Sequence, residues 1–275
     1  MFELRLHGRG GQGSVTANWM LAEALYYDGK YGQAIPIYGT ERRGAPVTAY
    51  MRIDDARVRQ RDLIHEPDMV VVLDPLLGLR PMVMSGIKKG GLLLLNYPHP
   101  PEEVLLGGDF NIATVDATMI ALETLGVPIT NTAMLGAFCK VTGLVRMESL
   151  ERAVLHTFPG RIGKININAM REAYEKVSTP VPSKGEAPKA AGEEEIDGDV
   201  RVGWGLQRNV ASWRVFRPVW DYDKCNSCKI CWISCPDNAI NWTDKPEWEN
   251  RKCKGCGICF NECAAKAIAW VREEI

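Results

Sequence analysis

The chain has 275 residues, a formal net charge of −1 and 46% hydrophobic residues, a length that can hold two domains. The near-zero charge argues against bulk binding of nucleic acid, and no apolar run approaches the ~18 residues that a membrane span requires. Because the N-terminus lacks a charged segment followed by an apolar one, we expect a cytoplasmic protein in a reducing compartment.

The upstream part of the chain alternates strand and helix patterns. Strands are predicted at residues 2–7, 47–53, 68–74, 91–96 and 111–116, and helices at 14–27, 76–88, 117–125, 131–142, 150–157 and 168–177. Ser14 or Thr16 would cap the first helix. The continuous apolar run at 68–74 is typical of a parallel sheet covered on both faces. This alternation predicts an α/β domain with a mostly parallel sheet and flanking helices.

A glycine-rich turn connects the first strand to the first helix. Gly8, Gly10 and Gly13 match the spacing of the dinucleotide fingerprint, and a helix N-terminus after such a loop favours an anion. The fingerprint also requires an acid after the second strand, and the stretch at 32–38 ends without one. The turn therefore stays open to three interpretations: a dinucleotide site, a packing turn, or a loop that faces an anion or a partner.

Two adjacent arginines, Arg42 and Arg43, follow between two glycines. Their guanidinium groups suit bidentate binding of a phosphate or a carboxylate. An intersubunit ion pair with Glu41 is equally consistent with the sequence.

Composition changes between residues 178 and 199. This segment contains three prolines and an acidic run but no aromatic residue, so it is predicted to be a linker. The predicted domains are therefore an α/β domain at residues 1–177 and a cysteine-rich domain at residues 200–275.

Eight of the nine cysteines lie from Cys225 onward, in two copies of the spacing C-x2-C-x2-C-x3-C. This is the bacterial ferredoxin arrangement for two [4Fe–4S] clusters, in which the fourth cysteine of each run ligates the other cluster. Structural zinc and disulfide frameworks do not account for such regular spacing. Cys139 stands alone and is expected to be a buried structural thiol. The predicted ligands are Cys225, Cys228, Cys231 and Cys263 for one cluster, and Cys253, Cys256, Cys259 and Cys235 for the other.

The downstream domain is also rich in tryptophan and arginine. Seven of the eight tryptophans follow residue 200, where large rings can exclude water from a cluster or simply fill a core. Residues 200–218 are predicted to form an extended arm that docks onto a partner subunit. The arginines of this arm are Arg201, Arg208, Arg214 and Arg217.

These motifs carry a resemblance to a known family. Residues 6–17 and 41–47 resemble the γ subunit of 2-oxoacid:ferredoxin oxidoreductases, the pyruvate:ferredoxin oxidoreductase family. Residues 212–219, the doubled cysteine run and residues 231–240 resemble the δ subunit of the same enzymes. The chain is thus similar to fused γ and δ subunits, the second being a small α+β bacterial 2[4Fe–4S] ferredoxin domain. It departs from the pattern at Ala264, where the motif usually carries proline.

The resemblance implies an electron-transfer subunit that contains no catalytic residue of its own. Electrons from the oxidative decarboxylation of a 2-oxoacid would pass through two [4Fe–4S] clusters to external ferredoxin. Pyruvate with coenzyme A is the first expectation, and oxalate or another 2-oxoacid is the alternative. The residues expected near coenzyme A are Gly8, Arg9, Gly10, Gly11, Gln12, Gly13, Arg42 and Arg43.

The resemblance also implies partners. Thiamine diphosphate and Mg²⁺ are expected on α and β subunits, because this chain lacks the Gly-Asp-Gly sequence, followed by Asn, that usually holds them. The expected assembly is a dimer of heterotrimers. Two other classes stay open: a stand-alone ferredoxin-type carrier, which would be a stable monomer, and an NAD(P)-linked reductase, whose clusters NADH would bleach.

Overall fold

The computed structural model describes residues 1–37, 44–78, 80–185 and 214–273. These belong to two compact units, Met1–Ala191 and Gly192–Ile275. Arg42 and Arg43, most of the predicted linker and the predicted arm up to residue 213 lie outside the described residues. The domain boundaries at 177 and 200 therefore stay predictions.

A seven-stranded sheet organises the first unit. Its strands in chain order are β1 Phe2–Arg9, β2 Tyr31–Pro36, β3 Pro46–Asp54, β4 Met69–Val72, β5 Gly91–Asn96, β6 Phe110–Val115 and β7 Val181–Pro182. Their order across the sheet is β2-β3-β1-β4-β5-β6-β7. The four central strands β1, β4, β5 and β6 are parallel, whereas β2, β3 and β7 pair antiparallel at the edges. The prediction of a mostly parallel sheet is confirmed for this centre.

Helices cover one face of this sheet. They are α1 Ser14–Tyr27, α3 Ala117–Leu125, α4 Asn131–Thr142, α5 Met147–Thr157 and α6 Arg161–Lys176. Their apolar residues pack on Leu4, Leu6 and Val71 of the central strands in one core. None of the helices in the described ranges is long and apolar enough to cross a membrane.

The helix boundaries agree with the predictions for α1, α3 and α4 but not for α5 and α6. Helix α6 was predicted to begin at residue 168 but begins at Arg161, and Gly163 lies within its first turn. A Cβ on Gly163 would lie 2.0 Å from the carbonyl oxygen of Phe158, so close packing requires the glycine. Helix α5 begins at Met147, three residues before the predicted start.

The opposite face of the sheet is covered by shorter segments. The prediction of a helix over residues 76–88 is wrong, since α2, Pro81–Met84, is the only α-helix among the described residues of that stretch. Proline starts a helix more readily than it continues one, and Gly86 has a left-handed φ of 76°, which ends the segment. Val83 and Met84 join Val104, Leu106 and other residues in a second core.

Helix α1 begins without a side-chain cap, so the prediction that Ser14 or Thr16 caps it is wrong. The N-cap residue is Gly13, with φ 82° and ψ 28° in the left-handed region. A Cβ on Gly13 would lie 2.6 Å from Asn131 Nδ2, at the start of α4. Only glycine meets both the conformation and the close approach of the second helix.

The second unit is a small α+β fold with two similar halves, as predicted. Strand β8 (Phe216–Trp220) pairs antiparallel with β11 (Ile268–Arg272), and β9 (Ile240–Trp242) with β10 (Pro246–Trp248). Each half contains one short helix, α7 Ile230–Ile233 and α8 Ile258–Asn261. Cys231, Ile240 and Ile268 form its core, against which Trp220 and Trp242 pack.

The two halves differ in the backbone before their helices. In the first half Ser227 and Lys229 have left-handed φ values of 57° and 63°. At the matching positions of the second half, Gly255 and Gly257 have φ values of 68° and 75°. The same left-handed backbone conformation is therefore adopted by residues with a Cβ in the first half and by glycines in the second.

A first prediction concerns the contact between α4 and α6. A Cβ on Gly136 would lie 1.9 Å from the carbonyl oxygen of Met170, a backbone atom that cannot rotate away. We expect Gly136→Ala to lower the free energy of unfolding by about 3 kcal/mol through overpacking. Chemical denaturation measures this value. The control Gly126→Ala, with φ 72° and open space around it, should cost only about 1 kcal/mol of left-handed strain; equal effects would contradict the close packing.

Candidate metal centre and glycine loop

Four cysteines line one cavity in the second unit. They are Cys225, Cys228, Cys231 and Cys263, termed here the first cysteine group. Three belong to the first run and the fourth comes from the second run, after α8. The indole rings of Trp220 and Trp242 and the side chain of Ile268 form other parts of the cavity wall.

The other four cysteines are also neighbours, and their thiol pKa values show it. Burial raises the pKa of Cys259 to about 12, and the nearby thiolates of Cys253, Cys256 and Cys235 raise it too. Burial likewise raises the pKa of Cys256, and Cys235 adds to the rise. Cys235, from the first run, thus lies with the three leading cysteines of the second run. These four residues are termed the second cysteine group.

Backbone N–H groups donate to the exchanged sulfurs. Cys235 Sγ accepts a hydrogen bond from Ala239 N at 3.2 Å, and Cys263 Sγ accepts one from Ala267 N at 3.3 Å. Such donors stabilise the negative charge of a thiolate ligand. In both halves the donor is the backbone N–H four residues after the fourth cysteine, so both sulfurs are stabilised in the same way.

This donor set suits a [4Fe–4S] cluster, in which each of four cysteines binds a different iron atom. The sulfurs must then surround a cavity instead of converging on one point. Within the described ranges, no three His, Cys, Asp or Glu side chains are arranged around a single ion. The first cysteine group lines one cavity in this way.

Residues 8–13, termed here the glycine loop, fold over the buried carboxylate of Asp74, just after β4. Asp74 Oδ2 lies 3.1 Å from Arg9 Nε and accepts a hydrogen bond of 2.9 Å from Gln12 Nε2. Its Oδ1 accepts the backbone N–H of Leu77 at 3.1 Å. Gln12 Oε1 in turn accepts the backbone N–H of Arg9 at 2.8 Å. The Arg9 and Gln12 side chains therefore point to the interior, where burial lowers the pKa of Arg9 and Asp74 partly restores it.

The loop glycines have distinct places. Gly8 lies within β1, where an added Cβ would meet Ser14 Oγ at 2.2 Å. Gly10 continues the strand pairing, since its N–H donates to Ala45 O at 2.8 Å. Gly11 is exposed and has a left-handed φ of 97°.

The strand order differs from that of a dinucleotide-binding fold. There the second strand lies beside the first, whereas β3 lies between β1 and β2 here. The acid after α1, Asp28, is also engaged, because it accepts hydrogen bonds from Arg146 N at 2.7 Å and Arg146 Nε at 2.8 Å. Asp28 thus fixes the start of α5 and is not placed as a ribose ligand.

Asp74 is the site residue that the sequence reasoning missed. The signal was an acid directly after a buried strand of a parallel sheet, the edge at which ligand sites form. Its partner Gln12 lies 62 positions away in the sequence, and Arg9 is still more distant. Local patterns do not reveal such a pairing.

Arg214 was predicted to belong to a docking arm, and the structure shows that its side chain has its partners within the second unit. Its side chain is buried and forms an ion pair with Glu273. Its Nη1 donates to the carbonyl oxygens of Asn250 at 2.8 Å and Cys253 at 3.2 Å, and its guanidinium lies 4.9 Å from the Trp248 ring centroid. Because Phe216–Trp220 forms β8, the end of the predicted arm is part of the second unit itself.

A second prediction concerns Asp74. Arg9 and Asp74 are 3% and 0% exposed, so Asp74→Asn would leave a buried guanidinium without its counter-charge. We expect a loss of about 3–5 kcal/mol in the free energy of unfolding. The control is Asp109→Asn, which breaks the ion pair between Asp109 and Lys89. These side chains are 67% and 86% exposed, so the free energy of unfolding should change little. Denaturation curves of similar midpoint for the two variants would refute a structural role for Asp74.

Comparisons with known proteins agree with both units. Residues 3–176 match the family described as pyruvate ferredoxin/flavodoxin oxidoreductase, and residues 218–241 match a 4Fe-4S binding domain. The chain is 55% identical over 179 residues to the common γ subunit of pyruvate/ketoisovalerate oxidoreductases from Thermococcus litoralis, covering 64% of this chain and 97% of that protein. It is 54% identical over 177 residues to pyruvate synthase subunit PorC from Methanothermobacter thermautotrophicus, covering 64% and 96%.

A solved structure gives the same result. The crystal structure of the pyruvate oxidoreductase subunit PORC from Thermotoga maritima is 40% identical, with a TM-score of 0.57, covering 64% of this chain and 97% of that one. The predicted resemblance is confirmed. The chain belongs to the pyruvate ferredoxin/flavodoxin oxidoreductase family, as a γ-type subunit that also contains a 4Fe-4S binding domain.

Proposed function

We propose that the chain is the electron-transfer subunit of a thiamine diphosphate-dependent 2-oxoacid:ferredoxin oxidoreductase. It passes electrons from an oxidative decarboxylation on partner subunits, through two [4Fe–4S] clusters, to ferredoxin. The observation that carries the proposal is the presence of two groups of four cysteines in a chain whose other unit is a γ-type domain.

The proposed ligands follow the two cysteine groups. The first cluster is held by Cys225, Cys228, Cys231 and Cys263, and the second by Cys235, Cys253, Cys256 and Cys259. The shared cavity supports the first set, and the mutual effects on thiol pKa support the second. When bound, the clusters would supply one-electron transfer. The protein positions the cysteine sulfurs, and the rings of Trp220 and Trp242 in the cavity wall limit the access of water.

The partners are proposed from the chemistry that this chain lacks. Thiamine diphosphate and Mg²⁺ belong to α and β subunits, and the assembly is a dimer of heterotrimers. The relative from Thermococcus litoralis is itself named as a subunit common to two oxidoreductases. In this chain Ile230, Trp232 and Ile233 are exposed beside the first cysteine group, with 73% of Ile233 accessible. An exposed apolar patch of this kind suits contact with another protein.

The glycine loop is proposed to face coenzyme A or a partner through its backbone. The Arg9 and Gln12 side chains already bind Asp74, and they would have to break these contacts in order to bind a ligand. The exposed Gly11 and the N-terminus of α1, which no side chain caps, offer backbone N–H groups and the positive end of the helix dipole. Arg42 and Arg43 remain candidates on sequence grounds.

Pyruvate is the proposed substrate of the complex, because both pyruvate oxidoreductase and pyruvate synthase subunits are among the similar proteins. The name of the Thermococcus litoralis relative adds ketoisovalerate as a second 2-oxoacid to test. The specificity pocket belongs to the partner chains in this proposal, so one γ-type subunit can serve more than one substrate.

The function is tested by purifying the native complex from its source cell and identifying its chains by mass spectrometry. We expect two further chains and bound thiamine diphosphate. Under anaerobic conditions with coenzyme A, pyruvate should bleach the visible absorbance of the clusters, and added ferredoxin should restore it. Ketoisovalerate and oxalate complete the panel. A chain that purifies alone and whose clusters NADH reduces would overturn the proposal.

The ligand sets are tested by single replacements. We expect Cys235→Ala to lose the second cluster and keep the first, because Cys235 lies with Cys256 and Cys259. Its electron paramagnetic resonance spectrum after reduction should therefore resemble that of Cys256→Ala and differ from that of Cys228→Ala. The control is Cys139→Ala, which removes a buried thiol that donates a hydrogen bond to Val145 O at 3.1 Å. This variant should keep all of its iron. A Cys235→Ala spectrum that matches Cys228→Ala would refute the exchange of cysteines.

A further inference from the structure

Two tryptophans occupy equivalent places in the second unit. Trp220 ends β8 and precedes Cys225 by the same five positions that separate Trp248, at the end of β10, from Cys253. Both indole Nε1 atoms are buried and make no aligned hydrogen bond with the described residues. A buried donor without an acceptor destabilises the fold, so a partner is expected in the working protein.

The indole ring of Trp220 lies in the same cavity as a proposed cluster ligand. Trp220 and Cys231 line the same cavity and pack in the same small core. The Cys231 side chain is only 9% exposed, so its sulfur lies inside this core together with the indole ring. An N–H group that donates to a thiolate stabilises negative charge on the sulfur. Cys231 is the buried cysteine of the core on which Trp220 packs, and its sulfur can accept from this orphaned donor.

Trp248 has a different environment despite its equivalent position. The Arg214 guanidinium lies 4.9 Å from the Trp248 ring centroid and donates to the carbonyl oxygens of Asn250 and Cys253. Trp248 therefore supports the clamp that Arg214 makes within the second unit. The two halves share the tryptophan but use it in different ways.

We propose that the indole N–H of Trp220 donates a hydrogen bond to the Cys231 sulfur and thereby raises the reduction potential of the first cluster. This inference rests on the ligand set of the proposed function. One-electron reduction adds a negative charge to the cluster and its sulfurs without breaking a bond. A donor to a ligand sulfur stabilises the reduced form more than the oxidised form, and hydrogen bonds to sulfur are among the factors that set cluster potentials. Trp220 is thus a positioning residue that tunes one of the two clusters.

The test is a redox titration of the full chain in its native complex, followed by electron paramagnetic resonance. In Trp220→Phe, the ratio of reduced to oxidised first cluster at a fixed potential should fall about three- to tenfold, and tenfold equals 59 mV for one electron. The potential of the second cluster should stay the same. Trp248→Phe is the matched control, and it should not move the potential that Trp220→Phe lowers.

A second variant removes only the donor. If Trp220→Phe fails to retain iron, Trp220 is replaced by benzothienylalanine, which keeps the ring shape and has sulfur in place of N–H. It should lower the same potential. An unchanged potential in a variant with full iron content would overturn the inference while leaving the ligand set intact. Absence of a cluster at Cys231 in the unmodified chain, found by iron analysis and the resonance spectra of the cysteine variants, would overturn both.

Discussion

The second unit depends on one constraint: the fourth cysteine of each run lies with the first three of the other. Cys263 reaches the cavity of the first group, and Cys235 lies beside Cys256 and Cys259. Neither half can therefore assemble four sulfurs alone. The pairing of β8 with β11 joins the strand before the first run to the strand after the second, and so holds both halves in register. The same contacts build the fold and gather the sulfurs, so the cysteine groups form as the unit folds.

Much of this organisation could be predicted because its signals are local. The cysteine spacing predicted the grouping, and apolar periodicity predicted α1, α3 and α4 with their observed ends. The failures have physical reasons. Segment 76–88 reads as a helix by composition, but Pro81 and Gly86 limit it to one turn. Arg214 reads as an exposed docking residue because its partners Asn250 and Glu273 lie 36 and 59 positions away. Patterns along the sequence do not carry such long-range pairing.

The first strand shows how polar residues can mislead. Its alternation suggests one face toward the core and one toward water, yet both faces are covered. Leu4 and Leu6 lie under the helices, while Arg5, His7 and Arg9 are buried on the opposite face. Arg5 Nη2 donates to the carbonyl oxygens of Val83 at 2.8 Å and Ser85 at 2.6 Å. Burial, followed by the charge of Arg5, lowers the pKa of His7 to about 3, so this imidazole stays neutral in the folded protein. The glycine loop is thus built on a buried polar layer.

The left-handed residues Ser227 and Lys229 give the two cysteine loops different backbone energies. A residue with a Cβ in this conformation costs of order 1–3 kcal/mol, whereas Gly255 and Gly257 adopt it without strain. Iron–sulfur bonds to the neighbouring cysteines would hold the first loop in its shape against that strain. The two loops therefore differ in backbone strain although they have the same shape.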